Sequence, residues 1–125
     1  MIGYTESQLR FHQSDTYTRL GLLQSAWAAQ ERGLQICPPA DYTDWALIRL
    51  DRATCLARSG DMASAITYAT ETLTHISAAQ RQGIIAERGH GLLRTLLAKC
   101  RTTTPAREIQ ELLSADGAAK EAPDP

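Results

Sequence analysis

Apolar residues recur along almost the whole of this chain at intervals of three and four, and nowhere do they alternate for long enough to make a strand. The clearest run is Met62, Ala65, Ile66, Ala69, Leu73 and Ile76, a stripe that covers one face of a helix. Ala46, Leu50, Ala53 and Ala57 form a second stripe, widened by Leu47 and Leu56. Ile85, Gly89, Leu92, Leu93, Leu96 and Cys100 form a third. This pattern dictates an all-α fold. At 125 residues, 43% of them hydrophobic, the chain has material for one modest core and none for a second domain of ordinary size.

The residues between the stripes punctuate helices. Thr5-Glu6-Ser7-Gln8 and Ser77-Ala78-Ala79-Gln80 read as capping boxes, in which a hydroxyl and a Gln side chain satisfy the free amides of a first turn. Gly21 and Gly60 stand where helices should stop. Cys37-Pro38-Pro39 cannot continue a helix, Asp41 or Thr43 can cap the next one, and Thr104-Pro105 reads as a cap followed by a first-turn proline. These signals predict six helices near 5–20, 22–36, 43–58, 62–76, 78–100 and 105–113. Residues 1–113 form the domain, and the small, polar, proline-tipped 114–125 reads as a disordered tail.

Composition excludes several function classes. With 13 Lys+Arg against 14 Asp+Glu the net charge is −1, so there is no positive field to collect phosphate and no direct nucleic-acid binding is expected. No stretch is apolar enough to span a membrane, and Met1 to Glu6 carry no basic-then-apolar signal, so a cytoplasmic protein is expected. Cys37, Cys55 and Cys100 are odd in number and lack a CxxC pair, which indicates neither a disulfide framework nor a zinc knuckle. Cys55 and Cys100 fall on apolar faces, whereas Cys37 lies in the proline loop and is the thiol to test for reactivity.

The chain also repeats itself. A shift of 39 residues aligns Gly21 with Gly60, Ala26 with Ala65, Trp27 with Ile66, Leu34 with Leu73 and Arg19 with Arg58. Small residues at such positions let paired helices approach, and large ones fill the space between pairs.

This pattern resembles the tetratricopeptide repeat. Tyr17, Gly21, Ala26, Gly33-Leu34 and Pro38 match its first unit, and Leu56, Gly60, Ala65 and Leu73 match the second. Thr72 and Ser77 replace the second unit's small residue and proline. A third unit keeps Gly89 at the close-packing position and has a short second helix. The stretch from about Ala26 to Leu113 further resembles the C-terminal tetratricopeptide-like region of actinobacterial Xre-type helix-turn-helix regulators. Trp27–Glu31, Leu50–Asp61 and Arg107–Leu113 carry that resemblance. The DNA-reading domain of those regulators has no counterpart in these residues.

The resemblance implies three stacked hairpins whose first helices line a concave groove. That face would present Phe11, His12, Asp15 and Arg19, then Leu50, Asp51, Thr54 and Arg58, then Glu87, His90 and Arg94. Arginines at one position of three successive helices would offer planar, permanently charged donors to a carboxylate or phosphate. The other reading is a solvated face of helix ends paired with local acids. His12 with Asp15, and Glu87 with His90, are three apart and share a helix face, so each acid could orient an imidazole as a general base. The plain alternative is an exposed pair on an ordinary helix. Glu87-Arg88-Gly89-His90 has the spacing of half a di-iron motif without a second half, so neither metal nor cofactor is expected. Trp27 takes a large inter-helix position and is expected in the core, while Trp45 is expected to cover an end of the stack or a partner's surface.

Beside pure oligomerisation, which needs only the apolar faces, two functions remain. One is a binding module that holds a peptide or small anionic ligand in the groove, with a regulatory or self-association role and a homodimeric state. The other is a small freestanding enzyme or maturation factor acting on a peptide natural product through His12, Asp15, Glu87 or His90.

Overall fold

The structure is a computed structural model and describes residues 5–114. Seven α-helices follow one another, with no strand among the described residues: α1 (Glu6–Leu20), α2 (Leu23–Ile36), α3 (Tyr42–Arg58), α4 (Met62–His75), α5 (Ile84–Thr95), α6 (Ala98–Arg101) and α7 (Thr104–Leu113). The first four sit where the sequence predicts them. Thr5 and Gln8 form the reciprocal capping box of α1, and the Asp41 and Asp61 carboxylates accept the Asp44 and Ser64 amides at the starts of α3 and α4. The α1–α2 and α3–α4 turns carry Gly21 at φ +74° and Gly60 at φ +95°.

The predicted helix over 78–100 is three pieces. Ser77 and Gln80 do exchange the capping-box hydrogen bonds, but they close a 3-10 turn over Ala79–Arg81. Gly83 then takes φ +61° with ψ −128°, a conformation open to glycine and closed to a helix. After α5, Leu96 is extended and buried, and α6 is a single turn. At α7 the cap is Thr103 rather than Thr104, its hydroxyl accepting the Ala106 amide at 3.4 Å with Pro105 inside the first turn. All but the first residue of the tail expected over 114–125 lies outside the described residues.

α1 packs on α2, α3 on α4, and α5 on α7. Along the other direction α3 lies between α1 and α5. Ser14 meets Asp51 at 3.0 Å and Thr18 meets Cys55 at 3.6 Å. Both contacts join residues 37 apart, so α1 and α3 run parallel. The apolar core belongs to α3, α4, α5 and α7, where Leu47, Leu50, Leu73, Ile85, Leu92 and Ile109 are almost wholly buried. Gly89 lets α7 close in: a methyl group there would stand 2.7 Å from Leu113 Cδ1.

Arginines finish several helices. Arg81, 3% exposed, donates from Nη1 to the carbonyls of Leu73 and Ile76 at 2.9 Å each and from Nε to that of Leu112 at 3.2 Å. One buried cation thus serves the C-terminal ends of α4 and α7, where the helix dipole favours positive charge. Arg101 does the same for α5 through the carbonyls of Arg94 and Leu96.

Trp27 does not reach the core. It is 40% exposed, with the Arg52 guanidinium 3.6 Å above its ring and Glu31 pairing that arginine at 2.8 Å. A cation–π contact takes the place of apolar burial. Trp45 is half-buried within this chain, its ring 4.8 Å from that of His75 and 5.0 Å from the Arg49 guanidinium.

Candidate functional site

The parallel run of α1, α3 and α5 opens a cleft of about 350 Å³ along their shared face. α1 contributes Asp15, Thr18 and Arg19; α3 contributes Asp51, Thr54 and Arg58. α5 contributes Ile84, Glu87, Arg88, Gly91, Leu92, Arg94 and Thr95. Its stripe 84, 88, 91, 95 is the 3.6-residue period read on the polar side of the helix. Arg19, Arg58 and Arg94 each stand in the last turn of their helix, so three guanidiniums from three helices meet the same space.

Four of the charged lining residues satisfy one another. Asp51, 2% exposed, accepts Ser14 Oγ on one oxygen and Arg88 Nη1 on the other, at 3.0 and 2.5 Å. Arg88 also reaches Asp15 at 3.6 Å, and Asp15 pairs with Arg19 at 3.3 Å one turn along α1. Burial pushes the Asp51 carboxyl above the usual carboxylate range. The charge and hydrogen bond of Arg88 and the Ser14 hydroxyl pull the other way, and the charge of Asp15 adds to the rise.

The remaining three are not bound in this way. Arg58 donates to the Thr18 carbonyl at the end of α1 and makes no ion pair among the described residues. Arg94 and Glu87 are exposed and likewise carry no ion pair among the described residues. Thr54 and Thr95 return their hydroxyls to the carbonyls of Leu50 and Gly91. The cleft therefore offers two cations and one carboxylate that have no ion-pair partner among the described residues, over a neutralised floor.

Of the residues expected at the groove, Asp15, Arg19, Asp51, Thr54, Arg58, Glu87 and Arg94 line the cleft, and Phe11, His12, Leu50 and His90 do not, Leu50 being wholly buried in the core. Phe11 is half-buried against the core, with the His12 ring edge-on to it at 5.1 Å. His12 is exposed, and its charge acts on Asp44 at the start of α3, one to two turns away from the cleft. His90 is exposed on α5 three residues after Glu87 and four before Arg94, beside the edge of the cleft and not among the residues that line it. Neither predicted carboxylate–imidazole pair is therefore presented to the cleft. Arg88, which holds the floor together, was not among the residues the sequence singled out; its signal is the 37-residue spacing Ser14, Asp51, Arg88.

A second hollow of about 280 Å³ lies under the proline loop between Cys37, Pro38, Pro39, Tyr42, Trp45, His75 and Ile76. Burial, with the nearby charges of Asp41 and Asp44, pushes the Cys37 thiol up, which disfavours the reactive thiolate. Among the described residues no cluster of His, Cys, Asp and Glu could hold a metal ion, and no helix is long and apolar enough to cross a membrane.

No protein-family model, no curated protein and no solved structure matches this chain.

Proposed function

We propose that this chain is a tetratricopeptide-like binding module that holds a peptide or small anionic ligand in the cleft between α1, α3 and α5. The observation that carries the reading is the pair Arg58 and Arg94, which face that cleft from different helices without a carboxylate partner among the described residues. Such donors bind carboxylate or phosphate through charge-assisted hydrogen bonds. Arg88 and Arg19 are held in place by their own acids and leave the floor beneath the Arg58 and Arg94 pair neutral. The helix pairing, with α1, α3 and α5 side by side, supports the tetratricopeptide-like part of the proposal. A role in regulation or self-association fits the exposed Leu20, Leu22 and Trp27 at the α1–α2 end, which a second copy could cover. Catalysis by an imidazole base is not favoured, because His12 and His90 do not line the cleft.

The test is a titration of the protein with inorganic phosphate and with an acidic peptide, following the Arg58 and Arg94 side-chain N–H signals by NMR. Both signals should move. Arg94→Gln should weaken binding by about 1.5–3 kcal/mol, the scale of a hydrogen bond to a charged group, with little effect on stability. If neither probe moves either signal, the cleft is not an anion site.

A further inference from the structure

Building on that reading of the cleft, we infer that its ligand is a short peptide gripped by both free ends, its carboxylate between Arg58 and Arg94 and its ammonium group on Glu87. The cleft charges that have no ion-pair partner among the described residues are of both signs, and they are separated. Glu87 stands in the first turn of α5 and Arg94 in the last. Seven residues at 1.5 Å each place them about 10.5 Å apart along the helix axis. An extended chain covers at most about 3.3–3.6 Å per residue, so three residues match that span.

The other acids do not compete for the ammonium group. Asp15 and Asp51 are held by Arg19 and Arg88, and Asp51 is out of reach of solvent. Glu87 in turn repels a ligand that is negative throughout, which sets a zwitterion apart from a polyanion such as a polyphosphate. Ile84 lies one turn before Glu87 on the same wall and is 51% exposed, a surface for an apolar first side chain. A cleft of about 350 Å³ suits a ligand of this size.

The test uses mixed tripeptide libraries in three forms: both ends free, N-acetylated, and C-amidated. Retention by the full chain is read by mass spectrometry, with inorganic phosphate titrated separately by NMR. The free library should be retained, enriched in apolar first residues, and each blocking group should weaken binding at least tenfold. Glu87→Gln should abolish the difference between free and acetylated peptides while keeping the amidation penalty, and Arg94→Gln should reduce the amidation penalty, with Arg58 still in place, while keeping the acetylation penalty. Both positions are exposed, so the fold should tolerate either change, which thermal melting checks. Equal retention of the acetylated and free libraries overturns the inference, and the anion-site reading still stands if amidation matters. Phosphate binding with no peptide retained has the same meaning. Failure of phosphate and of every library removes both.

Discussion

Asp51 is almost wholly buried, and its two oxygens are engaged by Ser14 and Arg88. Taking one partner from a buried ion pair costs more than the pair contributes, because the remaining charge is left desolvated. Arg88→Met should therefore destabilise the protein by about 3 kcal/mol at neutral pH. The loss has a definite pH dependence. The native carboxyl already titrates above its usual range, and removal of Arg88, which lowers it, raises it further. Between the ordinary Asp value and that raised value the native state holds a proton that the unfolded chain has lost, so stability falls as pH rises. Urea denaturation of Arg88→Met should accordingly show recovery towards the parent protein as pH drops from neutrality into the ordinary carboxylate range. A deficit that stays constant with pH would mean that Arg88 acts through packing alone. At this scale Arg19, Asp51, Arg58, Glu87 and Arg94 were legible, because the repeat assigns them one helix face. Arg88 was not, since a 39-residue repeat reports equivalent positions, whereas contact between parallel neighbouring helices joins residues 37 apart. Phe11 and His12 share a face with Asp15 but lie on the part of α1 that runs past the cleft, and no periodicity reveals where a cleft ends.

The elements α1 to α4 follow their own local signals, and the stretch from Ser77 to Arg101 does not. Leu92, Leu93, Leu96 and Leu97 prolong the apolar period past the point where α5 ends, with neither glycine nor proline to mark the stop. What ends the helix is tertiary: Arg101 turns back to the carbonyls of Arg94 and Leu96. The start of the same stretch is decided by Arg81, whose side chain reaches the last carbonyls of α4 and the Leu112 carbonyl of α7. A continuous helix from Ser77 would have to release these bonds. Arg81→Ala should then cost about 3 kcal/mol, since several carbonyls lose a charged donor at once. Arg81→Lys should recover less than half of that, because an ammonium group has no planar fork with which to serve two helices. Guanidinium denaturation midpoints of the two variants measure both effects, and full recovery by lysine would show that charge alone suffices.

Across the whole molecule the helices are held by unequal means. α3 buries ten residues, most of them apolar, while α1 buries only Ser14 and Thr18. The first helix is attached largely by polar contacts: Ser14 to Asp51, Thr18 to Gln30 and Cys55, the Arg58 guanidinium to the Thr18 carbonyl, and Arg32 to Glu6. Phe11 is its partly buried apolar contact with the main core. Net contributions of such hydrogen bonds are about 0.5–1.5 kcal/mol each, less than the burial of a Leu or Ile side chain at about 1.5–3 kcal/mol. α1 should therefore open below the global unfolding free energy, and its amides should exchange hydrogen well before those of α3 and α4. The same helix forms one wall of the cleft through Asp15, Thr18 and Arg19. A ligand that bridges this wall to Arg58 and Arg94 binds only when α1 is docked, so it must protect α1 by its own binding free energy. Native-state exchange with and without saturating ligand should show the protection of α1 rising by that binding free energy, although most of the helix makes no contact with the cleft. Equal exchange in α1 and α3 without ligand would mean that the polar contacts of the first helix are worth as much as the apolar core.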